Sequence, residues 1–489
     1  MAYNHGVYAS EQATSVLSPA KVEAGIPFIV GTAPVGMTDE SNVNKPVLCY
    51  SYAEAVANFG YVPPKHEAAS GLSKFEYSIS EFINSQFGLF GVAPVIIVNV
   101  LDPSVHKTEA TTTSVTLDSK TGSATIKETG IIPSTVTLGT YVRGTDYELT
   151  FDADGNVVIT SLKGEDDAFL CDTGSAITLT AQKTDPTAVK DTDIVGGVDT
   201  SGHKSGFELV HECFPRFRVT PGFLLAPGFA HDPTVAAVMA AKASLMSGIA
   251  KCRCVVDIPT TTANVHSAAP AWKNNNNVMD ARQISLWPKL SLDGVTYHAS
   301  TQFVGLAGQV DSEHDDVPYV SPSNKNFQMT AAVLDDGTEV MLTLDEANYL
   351  NGQGIITALN HIGGWKCWGN RTACYPAVTD VKDSFIPVAR MFDWVGNTLV
   401  QTYWQRVDFP LNRRQIDTIV DSVNTWLDGL AAKEYILGGR VEFREEENPN
   451  TDLMDGIVRL HVYLTPPSPN KEIQFVLEYD VNYLSTLFE

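Results

Sequence analysis

The hydrophobic residues of this chain follow three different patterns along its length. Near the N-terminus, two continuous apolar runs, residues 26–33 and 94–100, predict strands that are buried on both faces of a sheet. Between them, Ser51 and Glu54 have the spacing of a capping box and predict the start of a helix. Residues 72–87 have apolar side chains at helical spacing and predict a second helix. This strand, helix, helix, strand order indicates an α/β core, a mixed sheet with flanking helices.

The pattern changes at the start of a segment that is rich in Thr, Gly and Asp. This segment contains short alternating runs that predict strands without helices. Asp154 and Gly155 lie between two of these runs and predict a tight hairpin turn. We interpret residues 105–195 as an inserted all-β domain.

The α/β pattern resumes after the β-rich segment. Residues 222–228 and 252–259 predict buried strands, and the alanine-rich residues 235–249 predict a helix between them. We expect residues 260–340 to be irregular. The resulting core domain is discontinuous and comprises residues 21–104 and 196–340.

The last pattern covers residues 341–489 and predicts a C-terminal α+β domain. A long helix that begins near Leu411 has an apolar stripe along one face. Residues 456–464 alternate between apolar and polar, as a half-buried strand does. Residues 473–479 predict a final strand, which has these apolar side chains on one face: Ile473, Phe475, Leu477 and Tyr479. Such a terminal strand either completes its own sheet or adds to the sheet of a neighbouring subunit.

Composition and charge narrow the function classes. The chain has 489 residues, of which 44% are hydrophobic, and this indicates a globular protein of about two to four domains. The net charge of -24 argues against direct binding to nucleic acid. The apolar runs are too short to span a membrane, and residues 1–6 lack the features of a signal peptide, so we expect folding in a cytoplasm.

The cysteines and the candidate chemical motifs give no catalytic constellation. The odd count of 7 Cys favours reduced, buried thiols, with a disulfide between Cys367 and Cys374 as the alternative. We do not expect Cys252 and Cys254, which lie in a predicted strand, to chelate one ion. We expect the acidic residues 311–316 to form a solvated loop, with a metal or partner contact as the alternative. We therefore predict no catalytic residue, no metal and no cofactor, and a protein that is not an enzyme.

Several short motifs resemble one known family when they are taken in order. These motifs are Gly-Ile-Pro-Phe-Ile-Val-Gly-Thr-Ala-Pro at 25–34, Leu-Ala-Pro-Gly-Phe at 225–229, Asp-Ile-Pro-Thr at 257–260, Ser-Pro-Ser-Asn at 321–324, Trp-Gly-Asn-Arg-Thr at 368–372 and the block at 434–483. In this order they make the chain similar to the contractile phage tail sheath proteins, which include the sheaths of contractile bacteriocins.

The resemblance implies a structural function. Sheath subunits stack as hexameric rings around an inner tube and contract by rigid-body rearrangement, which drives the tube through the target cell envelope. The implied partners are further copies of the chain, the tail tube protein, and the baseplate and tail terminator proteins, without direct contact with nucleic acid or membrane. The implied location is a virion tail or a released contractile particle that is assembled in the host cytoplasm.

The resemblance also implies which segments join subunits. Residues 1–20, with Val7, Tyr8 and Ala9, form an N-terminal linking arm, and the 473–479 strand forms the C-terminal arm. We choose Arg413 and Arg414 as tube-facing residues, and we expect the inserted β domain on the outside of the particle. The alternatives are a secreted glycan-acting enzyme with a β binding module, and a capsid or surface-layer protein.

Overall fold

The computed structural model describes residues 19–20, 22–38 and 42–487 of the chain. The strands, in chain order, are β1 Pro27–Gly31, β2 Val47–Cys49, β3 Lys65–Glu67, β4 Leu72–Lys74, β5 Val95–Asn99, β6 Thr111–Thr116, β7 Ser123–Thr129, β8 Thr137–Leu138, β9 Tyr147–Phe151, β10 Asn156–Ser161, β11 Ala176–Ala181, β12 Gly197–Val198, β13 Lys204–Ser205, β14 Phe223–Leu225, β15 Arg253–Asp257, β16 Gln283–Leu286, β17 Lys289–Leu292, β18 Val295–Tyr297, β19 Ala331–Val333, β20 Ile355–His361, β21 Gly364–Trp368, β22 Gly438–Glu442 and β23 His461–Thr465. The α-helices are α1 Tyr52–Phe59, α2 Ser78–Ile83, α3 Asp191–Val195, α4 Cys213–Phe217, α5 Pro233–Ser244, α6 Ala269–Asn275, α7 Ala299–Ser312, α8 Leu344–Asn351, α9 Val381–Ser384, α10 Ile386–Tyr403, α11 Arg413–Ala432 and α12 Asn450–Met454.

An eight-stranded sheet organises the largest part of the fold, in the order β2-β5-β1-β14-β15-β16-β20-β21. Within this order, the six strands from β5 to β20 run parallel to one another. The two edge strands, β2 and β21, are antiparallel to their neighbours. Because β1, β5 and β14 are buried along their whole length, their sequences are apolar without alternation. The four strands that the apolar runs predict are confirmed as β1, β5, β14 and β15.

The β-rich segment contains two three-stranded antiparallel sheets, β7-β10-β9 and β6-β11-β8. Their inward side chains form a separate apolar cluster, which includes Leu117, Tyr147 and Ile159. The predicted hairpin turn lies between β9 and β10, where the backbone N–H of Asn156 donates to the Asp152 carboxylate at 2.8 Å. Asp152 is thus occupied in closing the turn.

The expectation of an irregular segment at residues 260–340 is wrong. This segment contains α6, α7 and the strands from β16 to β19. Helix α7 shows no apolar stripe in the sequence, because it is buried on nearly all sides and mixes small and polar residues. At Gly305 an added Cβ would lie 2.5 Å from the Phe90 ring, so the small residues of α7 allow close packing.

Two predicted helices have different bounds. Residues 72–74 form β4, which pairs with β3 and β18, and the helix begins only at Ser78 and continues as a π-helical segment, Asn84–Phe90. Strand pairing at the start of the segment therefore overrides the helical spacing of its apolar residues. The alanine-rich helix α5 ends at Ser244 rather than at residue 249, because residues 246–250 form a turn that includes Gly248 at φ 77°.

The C-terminal part packs α11 against a two-stranded sheet of β22 and β23, and one apolar cluster joins them to α10. The predicted amphipathic helix is confirmed as α11, whose Val423 and Leu427 are buried against Met391 and Trp394 of α10. The prediction of a final strand at residues 473–479 is wrong for the single subunit. Residues 466–480 have no regular secondary structure and are mostly exposed.

Candidate assembly site

The sheet of β22 and β23 has one backbone edge that is available for another strand. The Val441 N–H donates to the Asn424 side chain of α11 at 2.8 Å, and the Val441 carbonyl accepts from the same side chain at 3.3 Å. Val441 is the register partner of Val462, so this pair belongs to the non-hydrogen-bonded type. The backbone groups of Val462 therefore point away from β22, as do those of Leu464 two residues further on. Asn424 covers the β22 edge at this point, whereas the β23 edge faces outward.

The C-terminal tail exposes the apolar residues that the sequence predicts as an arm. Ile473, Phe475, Leu477 and Tyr479 are 68%, 86%, 93% and 74% exposed. Exposure of large apolar side chains to water is unfavourable, since full burial of one such side chain contributes about 1.5–3 kcal/mol. The tail of this subunit thus carries an apolar segment that its own sheet does not cover.

The other predicted assembly residues lie in two places. Arg413 and Arg414 are exposed in the first turn of α11, where Arg413 pairs with Asp417 at 2.9 Å. The preceding loop exposes Trp404 and Phe409, so an apolar surface adjoins the two arginines. The predicted N-terminal arm residues lie outside the part of the chain that the structure describes; they are Val7, Tyr8 and Ala9.

The expectation that the acidic residues 311–316 form a solvated loop is wrong for Asp311, the first residue of the cluster. Asp311 lies in the last turn of α7, and its carboxylate binds the Arg390 guanidinium of α10, with both side chains 3% exposed. Asp315 is exposed, yet it accepts a 2.5 Å hydrogen bond from the Tyr435 hydroxyl, which raises the pKa of Tyr435 to about 12. The cluster therefore joins α7 to the C-terminal helices.

A second buried ion network connects the central sheet with α10. Asp393 binds Arg253 of β15 at 2.6 Å and Arg282 at 2.5 Å. Arg253 also donates to the carbonyl of Ala389 at 2.8 Å. Neither α10 nor these charges is among the features predicted above, although the helical apolar pattern of residues 386–403 is a signal for the helix. The network holds α10 firmly against the sheet.

A crevice at the carboxyl ends of β15 and β16 occupies the place where open α/β sheets bind ligands. Its two lining carboxylates are already occupied, because Asp257 accepts from the Ser300 N–H at 2.9 Å and Asp335 pairs with Lys289. Nearby, Glu81 accepts from the His298 N–H at 2.7 Å. Burial alone would raise the pKa of Glu81, but the His298 imidazole and the hydrogen bonds from His298 and Thr301 hold it below its usual value. Asp257 and Glu81 thus fix the N-terminus of α7.

The described residues offer no metal site. Across residues 19–487, apart from the undescribed positions, no group of three or more His, Cys, Asp or Glu side chains is arranged to hold an ion. All seven cysteines are buried and free, so the expected reduced thiols are confirmed, and Cys367 and Cys374 form no disulfide. Burial raises the pKa of the Cys49 thiol to about 12. Within the same described part of the chain, no helix has the length and apolar character that crossing a bilayer requires.

Comparisons with known proteins show which proteins the chain resembles. No family model matches the chain. It is 28% identical to the tail sheath protein of Burkholderia phage BcepMu over 99% of this chain and 98% of that protein. It is 24% identical to a putative prophage major tail sheath protein of Pseudomonas aeruginosa strain UCBPP-PA14 over 60% of this chain and 74% of that protein. The tail sheath protein of Escherichia phage P2 is also 24% identical, over 60% of this chain and 72% of that protein.

Solved structures agree with these relatives on the fold. The sheath of an extracellular contractile injection system, PVC, in its contracted state matches with a TM-score of 0.59 and 12% identity over 99% of both chains. The helical sheath of the anti-feeding prophage in its contracted state matches with a TM-score of 0.54 and 12% identity over 97% of this chain and 99% of that chain. The chain therefore has the fold of contractile sheath subunits. The resemblance to the tail sheath protein family, which the sequence motifs carry, is confirmed.

Proposed function

We propose that the chain is the structural subunit of a contractile tail sheath. The observation that carries this proposal is the similarity to a phage tail sheath protein along nearly the whole of both chains. Copies of the chain stack as hexameric rings around an inner tube and contract by rigid-body rearrangement, which drives the tube through the target envelope. The role is structural rather than enzymatic.

Strand addition between subunits is the proposed means of assembly. An extended segment from a neighbour pairs with the outward edge of β23, where the backbone groups of Val462 and Leu464 are directed. The exposed apolar tail at 473–479 and the N-terminal arm at 1–20 are the segments available for donation. An isolated two-stranded sheet is marginal in water, so added strands would also stabilise the sheet itself.

Rigid-body motion requires that the subunit does not deform. The buried pairs of Asp311 with Arg390 and of Asp393 with Arg253 tie the C-terminal helices to the central sheet. These contacts support a subunit whose core and C-terminal helices move together, while extended terminal segments follow the rotation. Residues 105–195 form an inserted β domain that faces outward, and Arg413 and Arg414 face the tube.

The proposed partners are further copies of the chain, a tail tube protein, and baseplate and tail terminator proteins. The proposed location is a virion tail or a released contractile particle, after assembly in the host cytoplasm. A relative named for a phage and solved structures named for injection systems are both consistent with this location.

Negative-stain electron microscopy tests the proposal, with the full chain and a deletion of residues 1–20 prepared side by side. We expect hollow helical tubes from the full chain, alone or with the cognate tube protein, and folded subunits without tubes from the deletion. Sheets or closed shells would instead support a capsid or surface-layer protein. Monomers that persist beside the tube protein would contradict the sheath function, and normal tubes from the deletion would contradict the arm.

A further inference from the structure

One face of α10 holds the backbone that precedes the first core strand. Arg390 donates from Nη2 to the carbonyl of Ala24 at 3.2 Å, and the Trp394 indole N–H donates to the carbonyl of Val22 at 2.8 Å. Further along the helix, Thr402 Oγ1 accepts from the N–H of Ala20 at 2.9 Å. Residues 390, 394 and 402 are spaced by multiples of four, so they form one stripe along the helix. Ala20 and residues 22–24 thus lie as a strap along α10.

The chain passes from the central sheet to the C-terminal helices at Ala24. On the sheet side, the Gly222 N–H donates to the carbonyl of Ile26 at 2.7 Å. A Cβ at Gly222 would lie 1.7 Å from the Ala24 carbonyl oxygen, so the strap crosses directly over this glycine. Beyond the crossing, Val22 is buried in the apolar cluster that includes Trp394.

Arg390 connects the crossing to the buried ion pair. Besides the Ala24 carbonyl, its guanidinium binds Asp311 and lies 4.5 Å from the centre of the Phe223 ring. One side chain therefore joins α10, α7, β14 and the strap. A change in the position of α10 would move the strap with it.

We infer that Arg390, Trp394 and Thr402 are positioning residues, which fix the point and the direction from which the N-terminal arm leaves the subunit. The arm would then move with α10 and the C-terminal helices during contraction. This inference rests on the proposed linking function of residues 1–20.

Thr402→Val tests the inference, and Thr398→Val is a matched control on the same helix. Both substitutions preserve the side-chain shape. Thr402 Oγ1 binds the strap, whereas Thr398 Oγ1 is buried without a hydrogen-bond partner among the described residues. Hydrogen exchange is measured by mass spectrometry on the peptide that contains Ala20. We expect about fivefold faster exchange in Thr402→Val, in line with the loss of the hydrogen bond to the Ala20 N–H, and no change in Thr398→Val.

Tube formation is measured on the same variants. We expect Thr402→Val to give fewer or shorter tubes while the subunit stays folded, which a cooperative urea transition would show. Trp394→Phe removes the indole N–H that binds the Val22 carbonyl, and it should likewise speed exchange near Val22. Equal exchange in both threonine variants, or faster exchange with unchanged tubes, would overturn the inference. Absence of tubes from the wild-type chain beside the tube protein would instead count against the sheath function. The two failures are distinguishable, because the exchange result does not depend on assembly.

Discussion

Arg390 and Asp311 form a buried bidentate ion pair between α10 and α7. Arg390 Nη1 lies 3.1 Å from Asp311 Oδ1, Nη2 binds Oδ2, and each side chain is 3% exposed. A buried charge pair is costly to break from one side, because the remaining charge loses its partner without regaining water. This pair therefore makes the contact between the two helices sensitive to substitution.

Asp311→Asn should destabilise the subunit by about 3–5 kcal/mol, because the buried Arg390 charge would lose its partner. Urea unfolding at pH 7 measures this change. Glu313→Gln is the control, since Glu313 belongs to the same acidic cluster but is exposed, and we expect its effect to stay within about 0.5 kcal/mol. Equal stabilities of the two variants would contradict the importance of the ion pair.

Glu81 should contribute a pH-dependent part of the stability. Its pKa is lowered from 4.5 in the folded protein, so its stabilising contribution is present above the unfolded pKa and is lost as the pH falls through the folded value. Glu81→Gln should cost about 2 kcal/mol at neutral pH and less below the folded pKa. Urea midpoints of both proteins from pH 7 to pH 3 measure this convergence. A difference that stays constant over this range would exclude the linkage.

The sequence predicted four strands of the central sheet, because β1, β5 and β14 are continuous apolar runs and β15 has an apolar centre. It predicted α11 equally well, because this helix is half exposed and keeps a clear stripe. Helix α7 was missed because a helix that is buried on most sides shows no such stripe. Its last turn contains Asp311, whose partner Arg390 is 79 residues away in the chain. No local pattern reveals that the charge is buried and paired.

The C-terminal tail illustrates a different difficulty. Its alternation predicted a strand, and its apolar side chains are exposed in the single subunit. A strand requires a partner for its backbone groups, and alternation does not say whether that partner lies in the same chain. The predicted arm at Ile473, Phe475, Leu477 and Tyr479 therefore stays a prediction about the assembly.

The double variant Phe475→Asp with Leu477→Asp should leave the subunit folded and reduce tube formation strongly. Both side chains are exposed, so the urea midpoint should not change, but in an added strand they would lie on one face. Gln474→Asp with Val476→Asp is the control with the same number of new charges on the opposite face. Electron microscopy counts the tubes. Equal tube yields from both double variants would exclude a one-faced strand at 473–479.

Charge reversal at Arg413 and Arg414 should weaken assembly on the tube without unfolding the subunit. Acidic residues in the first turn of a helix interact favourably with its dipole, so Arg413→Glu with Arg414→Glu should not destabilise α11. Co-sedimentation with the tube protein measures the assembly. Lys120→Glu with Lys127→Glu is the control, because it changes the net charge equally at exposed positions of the β-rich segment. If both double variants co-sediment alike, the effect comes from net charge, and the two arginines do not face the tube.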